Sequence, residues 1–246
     1  MAISFIRVDD RIIHGQIIIR WSTEYPCDGI IAVDDKAASS HTIHLKLLAA
    51  STLITNRIIA YRALRPDVNF QLYQAENHSD YDLCVSAVRS DLKNTDYEDY
   101  MVMLEEDLYL AVPTHSPYGD KDSINLADTR NAGYICLAGS RPIRQICNSY
   151  FSEADFVPNV IFESDTTESV RNLIAAGLGI GFWPQYSWGP LGGEWGPMSP
   201  HSPVKLLPIR DQVCRRQIIL MCSPLGKDNP IVMDFCNFLI QNSKWL

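Results

Sequence analysis

The sequence predicts an α/β protein, and three observations carry that reading. β-rich apolar runs alternate with segments of helical period from one end of the chain to the other. Glycine, proline and small polar residues punctuate most changes of period. Hydrophobic residues make up 46% of the 246, enough for a sizeable core. No repeat of about 20–50 residues and no low-complexity tract competes with this pattern.

"ISFIRV" (Ile3 to Val8) reads as a strand and "IIHGQIIIRWSTEY" as a helix whose β-branched residues weaken its propensity. "DGIIAVDD" (Asp28 to Asp35) reads as a second, buried strand. Parallel strands need such a crossover, so residues 1–40 form a βαβ segment. One unit of this size cannot cover its own strands and must join a larger sheet. "KAASSHT" (Lys36 to Thr42) is a small, polar junction, after which the pattern restarts.

"IHLKLLAAS" (Ile43 to Ser51) reads as a strand and "TLITNRIIAYRALRP" as a helix. Leu53, Ile54, Ile58, Tyr61 and Leu64 recur there at helical spacing, and Pro66 stops the run. "VNFQLYQ" (Val68 to Gln74), "DLCVSAV" (Asp82 to Val88) and "DLYLAVP" (Asp107 to Pro113) are three further strands. "YICLAGSRPIRQICNSYFSEA" gives strand, Gly-Ser turn and helix. "NVIFESDTTESVRNLIAAGLGIGFWP" gives strand, polar turn, helix and a Gly-rich strand. "HSPVKLLPI" and "RRQIILMCSP" are two more strands. "NPIVMDFCNFLIQNSKWL" closes the chain as a helix, with Asn229 at the N-cap and Pro230 at the first helical position. Ser187 to Pro203 is a long Gly/Pro/Trp loop, a length that in compact domains is usually functional or mobile.

Composition excludes several functions. A net charge of −8 speaks against this chain gripping nucleic acid, which calls for a basic footprint. No apolar run approaches the ~20 residues of a membrane span. The start lacks a signal peptide's pattern, and Asp9 and Asp10 interrupt it. The expectation is a cytoplasmic protein without membrane insertion. The cysteines number 7, with no C-x-x-C spacing. Cys84, Cys136 and Cys222 sit in apolar company and read as reduced core residues, with Cys27 and Cys214 more exposed. His41, His44, His78, His115 and His201 show no metal spacing, and no G-x-S-x-G or H-E-x-x-H motif occurs. No metal and no cofactor is expected. "GLGIG" (Gly177 to Gly181) closes a helix and enters a strand, the reverse of a dinucleotide fingerprint, and Gly177 fits a helix C′ position.

From about Thr42 to Leu246 the chain resembles the effector-binding domain of LysR-type transcriptional regulators. The resemblance rests on "LLAASTLITNRIIAYRALRPDVNFQLYQ", "YDLCVS", "LYLAVPTHSP" and "GSRPIRQICNSYFSEADFVPNVIFESDTTESVRNLIAAGLGIGFWP" in this order and spacing. It implies two Rossmann-like α/β subdomains, periplasmic-binding-protein-like, with a ligand cleft between them. Residues 42–113 plus 223–246 would form the first and 114–222 the second. The implied function is small-molecule effector sensing, in a homodimer, by a chain without the regulator's DNA-binding winged helix and without direct DNA binding or catalysis.

The implied ligand-binding residues lie at strand-to-helix turns. Ser51, Thr52 and Thr55 can bond an anion at a helix N-terminus, or simply cap it. Gly139, Ser140 and Arg141 repeat that arrangement, and Arg141 can hold an acidic ligand in bidentate fashion or stand as a surface arginine. Ser86 ends the "DLCVS" strand facing the cleft. Glu163, Ser164 and Asp165 follow "NVIF", where Asp165 either meets ligand or caps the next helix.

The first part resembles the IIB component of mannose/sorbose-type sugar phosphotransferase systems, through "IRVDDRIIHGQ" and "DGIIAVDDKAA", with the likeness ending near Ser39. It implies that His14 accepts a phosphoryl group from a IIA protein. Asp10 (or Asp9) would set its tautomer, and Arg11 would balance the phosphate charge. The opposing reading is a motif retained without its partners, because phosphoryl transfer needs several further loops. The chain therefore looks like a chimera. Its leading function is effector sensing, its alternative a phosphohistidine carrier acting through His14, and its third an engineered fold without selected function.

Overall fold

The computed structural model describes residues 41–91, 100–188 and 203–241. The expected N-terminal βαβ segment, with Asp10, Arg11 and His14, lies outside these residues, as do residues 189–202 of the Gly/Pro/Trp loop.

β1 (His41–Leu47) buries Ile43, Leu45 and Leu47 at alternate positions. It ends earlier than the sequence pattern predicted, because Ala50 takes a left-handed φ of 52° and swings the chain into α1 (Ser51–Leu64). α1 buries Ile54, Ile58 and Tyr61 and ends before Pro66. β2 (Val68–Tyr73) and β3 (Leu83–Arg89) pair in parallel on either side of β1.

β4 (Met101–Pro113) is 13 residues long and starts well before the predicted Asp107. Glu105, Glu106 and Asp107 interrupt its apolar run in sequence. In the sheet they face Gln217, Arg216 and Arg215 of β9 (Arg215–Cys222), and cross-strand pairs of opposite charge suit a strand. β9 runs antiparallel to both β3 and β4. Farther along, β4 pairs with β7 (Gly181–Pro184) and β8 (Val204–Leu207). The order is β2-β1-β3-β9-β4-β7, with β8 also on β4. β4 and β9 thus leave the first group of strands and enter the second.

The second group adds β5 (Gly133–Leu137) and β6 (Asn159–Ser164), a parallel pair bridged from Tyr134 to Ile180. α2 (Pro142–Glu153) and α3 (Thr167–Ala175) follow β5 and β6. α2 packs on β5 and also on β3, so it touches both groups. α4 (Pro224–Asp228) is a short helix that the sequence pattern did not reveal, and α5 (Pro230–Gln241) returns to pack on β1 and α1. Asn229 Oδ1 accepts the Ile231 N–H at 3.0 Å, as its predicted capping role requires.

Gly177 takes a φ of 78°. The Leu178 N–H then reaches the Leu173 carbonyl at 3.2 Å and the Gly177 N–H the Ile174 carbonyl at 2.9 Å, closing α3. A Cβ on Gly181 would lie 2.7 Å from the Ile135 carbonyl, so this glycine lets β7 approach β5. "GLGIG" is structural, as its place in the sequence indicates. Five free cysteines are buried (Cys84, Cys136, Cys147, Cys214, Cys236) and Cys222 is partly so. Cys214, expected to be exposed, sits beside β4, where its carbonyl accepts the Leu108 N–H, and burial pushes its thiol up to about 12. Among the described residues no helix is long and apolar enough to cross a membrane.

Candidate functional site

Apart from Ser86, the predicted ligand-binding residues lie where helices leave the C-terminal ends of parallel strands, the usual place for ligands in such sheets. α1 starts behind β1, α2 behind β5 and α3 behind β6. Neither Ser51 nor Thr52 caps α1. The cap position belongs to Ala50, and no side chain caps it. The Thr55 hydroxyl donates back to the Ser51 carbonyl at 2.8 Å. Among the described residues the first-turn N–H groups of α1 therefore have no side-chain acceptor, and they carry the positive end of a 14-residue helix dipole.

α2 has Arg141 at its N-cap, again without a side-chain cap, and Pro142 in its first turn. Gly139 and Ser140 form the exposed turn before it. The Arg141 guanidinium does what the turn alone did not reveal. Nη1 donates to the Gln74 carbonyl at 3.1 Å and Nη2 to the Asp165 carbonyl at 3.1 Å. Gln74 follows β2 in the first group of strands, and Asp165 follows β6 in the second. One arginine thus ties the two groups together across the space between them, using neutral acceptors only.

Two expectations change, those for Asp165 and Ser86. Asp165 does not cap α3; Thr166 does, its hydroxyl accepting the Ser169 N–H at 3.4 Å, while Asp165 offers its backbone carbonyl to Arg141. Glu163 is paired with Arg144 at 3.1 Å, and Ser164 Oγ accepts the Thr166 N–H at 3.2 Å. Ser86 does not end its strand. β3 continues to Arg89 against β9, and Ser86 is buried opposite Ile219. It still lies one residue beyond Val85, where β1 leaves the sheet.

Residues unassigned at the sequence level complete the frame. Lys46, buried in β1, donates to the carbonyls of Glu76 at 2.6 Å and His78 at 2.8 Å, and so pins the loop that carries Gln74. Its only sequence signal is a lysine inside an apolar strand. Arg89, 8% exposed, reaches from β3 to α2. It donates to both carboxylate oxygens of Glu153 at 2.5 and 2.8 Å and to Ser149 at 3.1 Å. Its guanidinium also lies 4.2 Å from the Tyr150 ring centroid. Where β4 and β9 cross between the groups, Arg216 pairs with Glu106 at 2.8 Å, and Ser187 Oγ donates to the same carboxylate at 2.6 Å. Burial raises the Glu106 carboxyl, but the Arg216 charge, the Ser187 hydroxyl and two backbone N–H groups hold it below the ordinary range.

Among the described residues no group of His, Cys, Asp and Glu side chains is placed to hold a metal ion. The groups at these turns that can donate are the first-turn N–H groups of α1, the Ser164 hydroxyl in the β6–α3 turn and the Arg141 guanidinium. Such an array suits binding of a small anion.

Comparison with known proteins agrees with this frame. The family model described as LysR substrate binding domain matches residues 37–244. A second model, PTS system sorbose subfamily IIB component, matches residues 3–68. That likeness runs on through β1 and α1 instead of ending near Ser39, and it overlaps the first match, so no clean junction near residue 40 separates the two. The HTH-type transcriptional regulator YybE of Bacillus subtilis (strain 168) is 28% identical over 144 residues, which are 54% of this chain and 48% of that protein. The transcriptional dual regulator GltC of the same organism is 25% identical over 202 residues, 78% of this chain and 63% of that protein. The chain thus spans about half to two-thirds of these relatives. Among solved structures, the regulatory domain of Synechocystis PCC6803 CcmR in complex with 2-PG superposes with a TM-score of 0.69 at 18% identity, covering 83% of this chain and 98% of that one. The effector binding domain of QuiR in complex with shikimate gives 0.62 at 20% identity, covering 84% and 98%.

Proposed function

The chain belongs to the LysR substrate binding domain family and is an effector-binding domain; from that premise we propose that its effector is a small anion held between two lobes. Residues 42–113 with 223–246 make the first lobe and 114–222 the second. The carrying observation is Arg141, a guanidinium whose two hydrogen-bond acceptors are neutral carbonyls from opposite sides of the cleft. A carboxylate or phosphate is a stronger acceptor for it than either carbonyl. The uncapped start of α1 at Ser51 and Thr52, the Gly139–Ser140 turn and Ser164 supply further donors, with Ser86 beneath β1's exit. The shikimate and 2-PG named for two neighbouring structures support a small-molecule occupant.

Binding shifts a population of lobe arrangements, and in the cytoplasm a homodimer passes that shift to the DNA-binding part of a regulator. The exposed Ile59 and Leu64 of α1, Leu72 of β2 and Ile161 and Phe162 of β6 offer apolar surface for such pairing.

The test is a thermal-shift and calorimetric screen of organic acids, sugar phosphates and neutral sugars. A ligand that binds only the folded form adds about 2.7 kcal/mol at a hundredfold excess over its Kd. Anions should bind, and Arg141→Gln should weaken them at least tenfold. Binding of neutral compounds alone, or anion affinity unchanged in the variant, would overturn the reading.

The match at residues 3–68 supports a second reading, His14 as a phosphoryl acceptor. Incubation with phosphoenolpyruvate, the general phosphotransfer proteins and a IIA protein decides it. An acid-labile phosphate absent from His14 under those conditions removes it.

A further inference from the structure

We propose that the Arg141–Gln74 contact is a latch that holds one end of the cleft shut and is released when another acceptor takes the guanidinium. The inference rests on the geometry of α2, and in its ligand-driven part on the anion reading above.

α2 is fastened to the first lobe at both ends, by unlike bonds. At its C-terminal end Arg89 grips Glu153 through two charge-assisted hydrogen bonds, adds Ser149 and covers the Tyr150 ring. The Tyr150 hydroxyl in turn donates to the Arg215 carbonyl at 2.6 Å and accepts the Arg215 N–H at 2.8 Å, so this end is also held to β9, the strand that pairs with both β3 and β4. At the N-terminal end a half-buried Arg141 makes one bond to Gln74, a neutral carbonyl. Charge-assisted bonds between two ions are roughly twice as strong as neutral ones, so the Arg89 end is the pivot and the Arg141 end the one that lets go.

The lever is long enough to matter. Twelve residues of α2 at about 1.5 Å each separate the two ends by about 18 Å, so a small rotation at the pivot moves Arg141 most. Gln74 has little reach to follow, because Lys46 tethers its loop two and four residues further on, at the Glu76 and His78 carbonyls, and with Arg141 gone that tether is shared by the whole loop. An anion that takes Arg141 therefore excludes the Gln74 contact. Occupancy and latching compete, and the occupied form is looser at this edge.

Hydrogen–deuterium exchange on the full chain tests the latch, with Arg141→Gln and with inorganic phosphate as the probe. In Arg141→Gln, amides of residues 74–80 and 142–145 should exchange about tenfold faster, while residues 86–89 and 149–153 stay as in the wild type. Arg141→Lys, which keeps the charge without the fork, should fall between. Glu153→Gln should loosen the opposite end. Unchanged exchange at 74–80 in Arg141→Gln would overturn the latch. If phosphate fails to bind while Arg141→Gln still loosens 74–80, the latch holds and the anion reading loses support. If phosphate binds through Arg141 and slows exchange at 74–80, the anion reading holds and the latch is overturned.

Discussion

The buried charges at the strand crossing make a quantitative prediction. Arg216 and Glu106 have side-chain exposures of 2% and 0%, so neither can recover hydration if the other is removed. Removing one member of a buried pair costs about 3–5 kcal/mol, whereas replacing both by apolar residues is often neutral. The structure ranks the two halves. Without Arg216, Glu106 still accepts the Tyr186 N–H at 2.8 Å, the Ser187 N–H at 2.9 Å and the Ser187 hydroxyl at 2.6 Å. Without Glu106, the buried guanidinium keeps the Ser187 Oγ at 2.5 Å. Arg216→Met should therefore cost about 3 kcal/mol, and Glu106→Leu about 5 kcal/mol. The double variant should regain most of the loss. Urea denaturation followed by tryptophan fluorescence measures all three, since Trp188 adjoins Ser187. The pH dependence has a definite sign. The Glu106 carboxyl is held below its ordinary value, so its contribution is complete above about pH 5, one unit over the ordinary Glu value, and is lost as pH falls from there through the folded value. Glu106→Leu should flatten that acid limb. Costs below about 1 kcal/mol for both single variants, or a larger loss from Arg216→Met, would refute the reasoning.

Two further outcomes follow from backbone and core. Gly177→Ala places a Cβ in a left-handed conformation and should cost about 1–2 kcal/mol in the same denaturation assay, without changing ligand affinity. Ile54→Ala empties a fully buried position between α1 and the sheet and should cost about 2–5 kcal/mol, read as a lower urea midpoint at constant slope.

What was legible in the sequence was whatever depends on period and punctuation. The strand and helix alternation, the Gly177 terminus and the Asn229 cap are local properties, and a few neighbouring residues determine each. What was not legible depends on residues far apart in the chain. Glu105 and Glu106 look like residues outside a strand that starts at Asp107, until Arg215 to Gln217 stand opposite all three. Asp165 looks like a cap, but Thr166 competes for the same N–H groups and wins, and the useful part of Asp165 is its carbonyl. The strand of Ser86 looks finished at Val88 because Arg89 is charged, yet Arg89 stays in it, since Asp91 and, 64 and 60 residues away, Glu153 and Ser149 receive its guanidinium. Arg141 was legible as a cation at a helix start. That it spans the cleft follows from the placement of β2 and β6, which one turn cannot encode. The candidate site thus illustrates a general asymmetry: donor types can be read from a short motif, but which of them are already occupied is decided by the tertiary fold. For this protein that occupancy is the functional question, because a guanidinium resting on two carbonyls is available to a stronger acceptor and one resting on two carboxylates is not.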